Sequence, residues 1–451
     1  MVEKAIIVDL RSKIQQLEEE NELLLAEVTS LQLQLKSYQT RKTSHNSSKP
    51  PSHDFDKAIR NRSLRGKSNL PSGGQRGHPG KTLERNSNPD KLVVKAPSHC
   101  CGCGKSLHGQ EPMATSAYQV VDIPSSPAFW TEYRSVKVVC RCGCVNSEPL
   151  GHKGVIYGPK IKALVSYLSI RQYLSYARIC EFLYETYSLN ISEGSIANIL
   201  EEQGEIATPL YEHIRQTVNK SDVVGSDETG FRVNGKLHWV WTWQSTQATY
   251  LSISKSRGKA AVNENYCSGF PHSTLVHDRW ASQMNTPSKE HQLCLAHLIR
   301  ELRYLGQISP ENSWVEPLKS LFEETISLEK SLGDDYLSRL QMMNDAKLKF
   351  ASLMKQDAYG KPAKNLKKSL LKHQDKLWHY IEQKSVPATN NSSEQALRNV
   401  KVKQKISTCM RTLRGAQIFC KLRSIAETCR KQGKSFFRSL LQISEPYYST
   451  G

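Results

Sequence analysis

The sequence lacks any apolar run long enough to cross a membrane. No stretch of about 18 apolar residues occurs along its 451 positions. The first residues, MVEKAIIVDLRSK, do not place a basic segment before an apolar one, which argues against a secretory signal. Acidic residues are also scarce, with 43 Asp and Glu against 62 Lys and Arg and a formal net charge of +19. We therefore exclude a membrane or secreted protein and expect a polyanionic partner, most often nucleic acid.

The first forty residues carry a heptad repeat. Leucine occupies the d positions and mostly β-branched residues the a positions, as Leu10, Leu17, Leu24 and Leu31 at d and Ile7, Ile14, Asn21, Val28 and Leu35 at a. This pattern favours a parallel coiled-coil dimer, in which the single buried Asn21 fixes register and strand number. An amphipathic helix that packs on its own protein is the alternative. We predict a leucine zipper that associates two or more copies of the chain.

Residues 41–90 lose this periodicity. They are rich in Ser, Gly, Pro and basic residues, as in TRKTSHNSSKPPSHD and SLRGKSNLPSGGQRGHPGKTL. Such a segment cannot bury enough apolar surface to fold alone. Lys and Arg on a flexible arm neutralise phosphates without reading sequence. We predict a flexible basic linker that contacts DNA, with a simple linker as the alternative.

Two cysteine clusters indicate a structural zinc site. In a reducing compartment, clustered cysteines suggest metal binding more than disulfides. Cys100 and Cys103 form a Cys-x-x-Cys-Gly knuckle, and VVCRCGCVN supplies Cys140, Cys142 and Cys144. Paired thiolates at short spacing can hold one tetrahedral Zn²⁺. We predict ligation by Cys100, Cys103, Cys140 and Cys142, with Cys144 as an alternative to Cys142, and a cluster of free thiols as the competing interpretation.

The pattern becomes helical between residues 157 and 204. The sequence predicts two helices, a break at residues 188–190 and a further helix capped by Ser192. A helix–turn–helix arrangement of this kind is compatible with docking in the DNA major groove. Many helical pairs do not contact DNA, so the pattern alone leaves both possibilities open.

A strand and hairpin follow at Ser226–Trp243. An apolar run at residues 223–225 leads into Asp227, and Asn234-Gly235 is the strongest short-range hairpin signal. Another apolar strand at residues 274–276 ends at His277-Asp278. Carboxylates at the ends of neighbouring strands, such as Asp227 and Asp278, are the ligands that a divalent cation needs.

A third acid follows a helical block at residues 291–383. Glu394 lies in the first turn of a predicted helix, with Arg398 and Lys401 on the same face. Asp227, Asp278 and Glu394 would form a carboxylate triad on a ribonuclease-H-like sheet. Such a triad could hold two Mg²⁺ ions (or Mn²⁺) about 3.5–4 Å apart. An acidic residue that binds metal, placed beside basic residues that bind phosphate, is an arrangement that favours phosphodiester chemistry.

At these residues the sequence resembles the DDE transposases of the insertion-sequence 66 family over nearly its whole length. The matching motifs are SDETGFRVNGKLHWVW, HDRWAS, CLAHLIREL and NNSSEQALRNVKVKQK, together with the zipper, the GGQRGHPGKTL arm and the paired cysteines. CLAHLIREL, with Cys294, His297, Arg300 and Glu301, is similar to the motif that opens the family's helical insertion. The second cysteine knuckle is shorter than the usual pattern.

The resemblance implies a bacterial, cytoplasmic, nucleoid-associated transposase. It would bind terminal inverted repeats, cleave a strand with water and join the freed 3′-hydroxyl to target DNA. Asp227 and Asp278 would bridge the metals, Glu394 would complete a metal site, and Arg398 and Lys401 would steady a phosphate. Such families usually act with accessory proteins of the same element. The alternatives are an inactive zinc- and zipper-containing DNA-binding regulator derived from a transposase, and a metal-dependent nuclease without strand transfer.

Together these patterns predict a multidomain α+β protein. Its segments would be a coiled coil (1–40), a basic linker (41–90), a zinc-binding domain (91–150), a helical DNA-binding segment (151–215), a ribonuclease-H-like core (216–290), a helical insertion (291–383), and the last part of the core with the Glu helix and basic C-terminal helices (384–451).

Overall fold

The computed structural model describes residues 2–40, 42–43, 46–47, 85–95, 97–109, 119–121, 127–142, 144–147 and 154–444. They fall into two compact units, one of residues 66–129 and the other of residues 1–65 with 130–451. The basic linker predicted at 41–90 lies largely outside the described residues. No helix in the described ranges is both long and apolar enough to span a bilayer.

The N-terminal helix α1 runs from Val2 to Gln39, which confirms the helix that the heptads predict. Its described seam side chains lie in solvent, with exposed fractions of 55% for Ile14 and 57% for Leu17. The side chains of Ile7 and Leu10 lie outside the described part. Where it is described, the seam is therefore not buried on its own chain, contrary to what intramolecular packing would require.

A short hairpin precedes the main helical region. Its strands β1 (Lys137–Val139) and β2 (Val145–Ser147) pair antiparallel. The turn between them holds the second cysteine cluster. The Cys140 amide donates to the Cys144 carbonyl at 2.8 Å across the base of this turn.

A run of short helices then forms α2 (Pro159–Ile170), α3 (Tyr176–Tyr187), α4 (Glu193–Ile206) and α5 (Thr208–Asn219). Ser188 ends α3 in the left-handed region, with φ of 52°, and the Ser192 hydroxyl accepts the Ser195 amide at 3.0 Å to cap α4. The predicted helices, break and cap are thus confirmed. Helix α5 has no counterpart in the prediction and extends past residue 215.

The centre of the molecule is a five-stranded mixed sheet. Its strands are β3 (Val223–Val233), β4 (Lys236–Gln244), β5 (Thr249–Ser254), β6 (Phe270–His277) and β7 (Ser288–Leu293). The order is β5-β4-β3-β6-β7, with β4 antiparallel to its neighbours and β6 and β7 parallel to β3. Helix α6 (Lys259–Asn265) links β5 to β6, and the short α7 (Ala281–Met284) lies between β6 and β7.

The β3–β4 hairpin has the predicted turn. Asn234 and Gly235 take φ of 47° and 71°, the positive values that a type I′ turn requires. Beyond the turn, the buried rings of Trp241 and Trp243 stack with centroids 5.6 Å apart, and Trp243 meets Tyr266 at the end of α6 at 5.2 Å. This tryptophan face therefore packs the sheet against a covering helix.

The helical block after β7 has its own core. It comprises α8 (Leu295–Ile308), α9 (Val315–Glu329), α10 (Tyr336–Leu353), α11 (Lys361–Lys372), a 3₁₀ turn (Gln374–Leu377) and α12 (His379–Glu382). Buried aromatic side chains such as Trp314, Phe322 and Trp378 pack within this cluster. The block behaves as an insertion between β7 and the next helix of the sheet layer.

The chain returns to the sheet through α13 (Asn391–Ser407), α14 (Leu413–Lys431) and α15 (Phe436–Ser444). Val165 of α2, Ile196 of α4, Trp241 of β4 and Phe419 of α14 share one continuous hydrophobic core. The helical segment that the sequence assigns to DNA binding is therefore packed into the same core as the sheet.

Candidate active site

Asp227 lies on the central strand of the sheet. Its neighbours across the hairpin are on β4, where Thr242 is its paired residue. The side chain is half-buried, and its Oδ1 accepts a hydrogen bond from the Glu228 amide at 2.9 Å. Because β4 pairs with β3 on one side and β6 pairs with it on the other, this carboxylate lies on an interior strand of the sheet.

Asp278 follows the end of β6 directly. In the parallel pairing of β3 with β6, Val224 lies opposite Leu275. Asp227 and Asp278 each come three residues after that pair, so the two residues lie at the same level along the neighbouring strands. The Asp278 Oδ1 accepts the Trp280 amide at 3.1 Å, which fixes the orientation of the carboxylate.

The loop that carries Asp278 is anchored to the helical block. Arg279 has φ of +75°, and its Nη2 donates to both carboxylate oxygens of Glu301 at 2.9 and 2.8 Å. Its Nη1 also donates to Ser369 at 3.2 Å, and its amide donates to His277 Nδ1 at 3.1 Å. The insertion therefore holds the second predicted acid in place.

Glu394 reaches the sheet because α13 packs closely on β3. The Asn390 side chain donates to the Ser226 carbonyl at 2.6 Å instead of capping its own helix. At Gly225, an added Cβ would lie 2.6 Å from Ser393 Oγ and 3.1 Å from Asn390 Oδ1. Only glycine allows this approach, which brings the first turn of α13 beside Asp227.

The three predicted acids share one electrostatic environment. Burial, followed by the negative charges of Glu228, Asp278 and Glu394, raises the pKa of Asp227 well above its usual range. Burial likewise raises the pKa of Asp278. Asp278 at the end of β6 and Glu394 on α13 thus lie near enough to Asp227 on β3 for their charges to act on it.

A further acid, Glu228, is missing from the prediction. It is buried, and its Oε1 accepts from Arg257 Nε and Nη2, both at 2.8 Å. The Arg257 guanidinium lies 3.7 Å from the Trp280 ring centroid and 4.8 Å from that of Trp239. Burial and the charge of Asp278 raise the pKa of Glu228 to about 7, although Arg257 opposes this shift. Its position directly after Asp227 was the available sequence signal.

The CLAHLIREL motif contacts the third acid. Cys294 precedes α8, and its buried thiol accepts the Asn390 amide at 3.1 Å. Arg300 Nη2 donates to Glu394 Oε1 at 3.2 Å, and His297 Nε2 lies 3.9 Å from the same oxygen. The motif that opens the helical block therefore borders the candidate site.

The two predicted phosphate-binding residues differ in their surroundings. Arg398 is exposed on α13, one turn beyond Glu394. The Lys401 ammonium instead donates to the Gly230 carbonyl of β3 at 2.5 Å and to Gln404 at 3.4 Å. Lys401 therefore joins α13 to the sheet, and Arg398 is the better placed of the two for a phosphate.

Each cysteine cluster gathers its own thiols. Hydrogen bonds from the Cys103 backbone and thiol help to lower the pKa of Cys100, and hydrogen bonds from Cys144 and Cys140 lower the pKa of Cys142. Cys100 and Cys103 belong to the 66–129 unit, and Cys140, Cys142 and Cys144 belong to the other unit. The zinc site that combines them stays a prediction.

Comparison with known proteins identifies most of this region. The family described as transposase IS66 family matches residues 154–418, and a family of unknown function, DUF6444, matches residues 3–84. No curated protein matches the chain.

The first match defines the chain as a transposase. It covers more than half of the sequence and spans Asp227, Asp278 and Glu394. The chain belongs to the transposase IS66 family. Membership implies an enzyme that binds, cleaves and transfers DNA, in a class that generally uses divalent metal ions.

Proposed function

We propose that the protein binds the terminal inverted repeats of an insertion sequence and catalyses metal-dependent strand cleavage and strand transfer through Asp227, Asp278 and Glu394. One observation carries this proposal: Asp278 and Glu394 lie near enough to Asp227 for their charges to raise its pKa. All three acids also lie within the segment that matches the family.

The sheet supports a ribonuclease-H-like core. Its central strand β3 lies between an antiparallel hairpin partner and two parallel strands, in the order β5-β4-β3-β6-β7. The helical block enters after β7, and α13 returns to β3 with Glu394. This order explains how acids separated by long stretches of chain reach one face of the sheet.

The donor set fits Mg²⁺ or Mn²⁺. Carboxylate oxygens are the ligands that these hard cations prefer, and mutual repulsion of the acids would be relieved by positive charge. Asp227, Asp278 and Glu394 would hold the ions. When bound, such ions activate the attacking oxygen and stabilise the leaving oxygen.

The chain's own residues orient these acids. The Glu228 amide holds one oxygen of Asp227 and the Trp280 amide holds one oxygen of Asp278, which leaves the second oxygen of each acid for a ligand. Arg300 likewise donates to one carboxylate oxygen of Glu394 and leaves the other oxygen for a ligand. Exposed Arg398, one turn along α13, would contact a DNA phosphate beside the site.

Single substitutions test the triad. We expect Asp227→Asn, Asp278→Asn and Glu394→Gln each to reduce Mg²⁺-dependent cleavage of terminal-repeat DNA by about a thousandfold, equivalent to about 4 kcal/mol in the barrier. DNA binding by gel shift should change little. Asp345→Asn, an exposed acid on α10, is the matched control and should cleave normally.

Cleavage retained by all three variants would contradict the triad. The products also separate the alternatives. Cleavage without joining of the 3′-hydroxyl to target DNA indicates a nuclease, and terminal-repeat binding without cleavage by the unchanged protein indicates a regulator.

The proposal includes a structural Zn²⁺ held by Cys100, Cys103, Cys140 and either Cys142 or Cys144. The support is local, since each cluster sits in a tight turn with its thiols in contact. Metal analysis should find about one zinc per chain, and comparison of Cys142→Ser with Cys144→Ser should show which thiol is required. A folded protein without zinc would contradict the site.

A further inference from the structure

Three side chains of different chemistry meet where the helical block joins the sheet. Cys294 lies between β7 and α8, His297 in the first turn of α8, and Glu394 in the first turn of α13. One ligand atom from each lies within 4.8 Å of the other two, and no other such group of His, Cys, Asp and Glu occurs in the described residues. Ligands of a tetrahedral Zn²⁺ lie about 3.3–3.8 Å apart at ordinary bond lengths, so small side-chain rotations would close the group.

The imidazole of His297 is available to a ligand. Its Nδ1 is buried and has no hydrogen-bond partner in the described part of the chain. Its Nε2 lies 3.9 Å from Glu394 Oε1, beyond hydrogen-bonding distance. An interior ring nitrogen left unsatisfied is unfavourable, and ligation of a cation would satisfy it.

Cys294 and Glu394 can supply the negative charge that a divalent cation requires. The Cys294 thiol already accepts the Asn390 amide at 3.1 Å, a contact that opposes the rise of the Cys294 pKa to about 11 caused by burial. Arg300 occupies Oε1 of Glu394, and none of the described residues donates to Oε2. One thiolate and one carboxylate balance the charge of a divalent ion.

We propose that Cys294, His297 and Glu394 bind a borderline-soft divalent cation of the Zn²⁺ type. Sulfur and imidazole ligands select such an ion over Mg²⁺. Three protein ligands leave a fourth position open to water or to an oxygen of DNA. This ligand set is separate from the two cysteine knuckles and shares only Glu394 with the carboxylate triad.

Because Glu394 belongs to both ligand sets, binding at this site should affect DNA cleavage, an inference that rests on the proposed function. Glu394 cannot serve fully in the triad while it ligates an ion beside Cys294. Zn²⁺ therefore inhibits Mg²⁺-dependent cleavage by competing for this carboxylate.

Co²⁺ is a suitable probe, because a cobalt–thiolate bond gives a charge-transfer absorption band in the near ultraviolet. Full-length protein and its Cys294→Ala variant should be titrated with Co²⁺. Their difference spectrum isolates this site, since the N-terminal cysteines are the same in both. We expect the band in the unchanged protein, its loss in Cys294→Ala, and affinity lowered by about tenfold or more in His297→Gln and Glu394→Gln. Cys267→Ala, which removes an exposed thiol elsewhere, should retain the band.

Identical spectra for the unchanged protein and Cys294→Ala would overturn the site. If Cys294→Ala does not fold, as judged by thermal unfolding, the half-buried Glu394→Gln decides in its place. Asp278→Asn keeps all three ligands and should retain the band. Cleavage by Asp278→Asn would thus disprove the triad. The cobalt spectra would still test the Cys294 site independently.

Inhibition gives a second readout. We expect the Zn²⁺ concentration that halves Mg²⁺-dependent cleavage to rise by about tenfold in Cys294→Ala, measured against that variant's own activity without Zn²⁺. Equal sensitivity of both proteins would show that Zn²⁺ does not act through Cys294.

Discussion

A buried acid, Glu228, contributes negative charge beside the candidate site. It is paired with Arg257, whose guanidinium is enclosed by Trp239 and Trp280. Burial nevertheless raises the pKa of Glu228 to about 7, helped by the charge of Asp278. The ionised acid is therefore costly in the folded protein at neutral pH when no cation is present.

Glu228→Gln should make stability less sensitive to pH. Between the ordinary value of 4.5 and the raised pKa of about 7, the folded protein keeps a proton that the unfolded chain has released. Stability therefore falls as pH rises through this window and is constant above it. The variant lacks this loss, so its free energy of unfolding relative to the unchanged protein should rise by about 1 kcal/mol per pH unit there.

Urea unfolding without added Mg²⁺ at several pH values measures this difference. Glu212→Gln is the matched control, because Glu212 also pairs with an arginine, Arg215, but on the surface. A difference between Glu228→Gln and the unchanged protein that does not vary with pH would contradict the raised pKa.

The positions of single residues were predictable only where a local pattern marks them. Asp227 and Asp278 stand on or after apolar strands and Glu394 in a helical first turn, which are visible in sequence. Adjacency to Asp227 was a weak sequence signal for Glu228, because strand alternation assigns Glu228 to the face opposite Asp227. Its partner Arg257 comes 29 residues later, so only the tertiary fold reveals the pair.

At the scale of secondary-structure elements, the position of α13 depends on one close contact with β3. Gly225 lies under its first turn, where Ser393 Oγ and Gln244 Nε2 would each be 2.6 Å from an added Cβ. The Asn390 side chain bonds the Ser226 carbonyl beside it. The position of Glu394 is thus set by packing between an element and a strand.

Gly225→Ala should therefore impair catalysis more than folding. Displacement of α13 by a fraction of an ångström to one ångström should lower cleavage by about a hundredfold, with a loss of about 1–3 kcal/mol in stability. Adding Ser393→Ala should recover part of the activity, because it removes the clashing oxygen. Cleavage rates and thermal unfolding measure both effects.

Gly306→Ala provides the control, since an added Cβ in α8 would lie 3.6 Å from Val315, an ordinary contact. It should retain full cleavage. Equal activity of Gly225→Ala and Gly306→Ala would show that the β3–α13 approach does not position Glu394.

Most long elements were predictable, but two were not. The heptads predict α1, the Asn234-Gly235 signal predicts the β3–β4 hairpin, and helical periodicity predicts the block after residue 291. Strand β7 has the polar sequence SKEHQL, which has no apolar alternation and becomes a strand only by pairing with β6. Helix α5 likewise gains its place from the core it shares with α14.

At the scale of the whole molecule, the described seam of α1 is an apolar surface that its own chain leaves exposed. Its leucines and β-branched residues remain about half exposed, from 48% for Val28 to 59% for Leu35. We propose that a second copy covers them as a parallel coiled coil, in which Asn21 limits the assembly to two strands.

Asn21→Leu should then change the number of chains in the assembly, because a uniformly apolar seam also suits higher oligomers. Light scattering on the full chain measures the mass. Gln16→Leu adds the same side chain at a c position outside the seam and should leave the dimer unchanged. A monomer before and after Asn21→Leu would contradict the zipper.

The bond between Asn390 and Ser226 joins positions 164 residues apart in the chain. A ribosome needs on the order of ten seconds to synthesise that interval, and during this time β3 can pair with its hairpin partner while Glu394 does not yet exist. A nascent chain near its own gene would thus carry two acids of the triad without the third. If the proposed triad cleaves DNA, cleavage competence arises only when synthesis has passed the helical block, and incomplete products do not cut DNA.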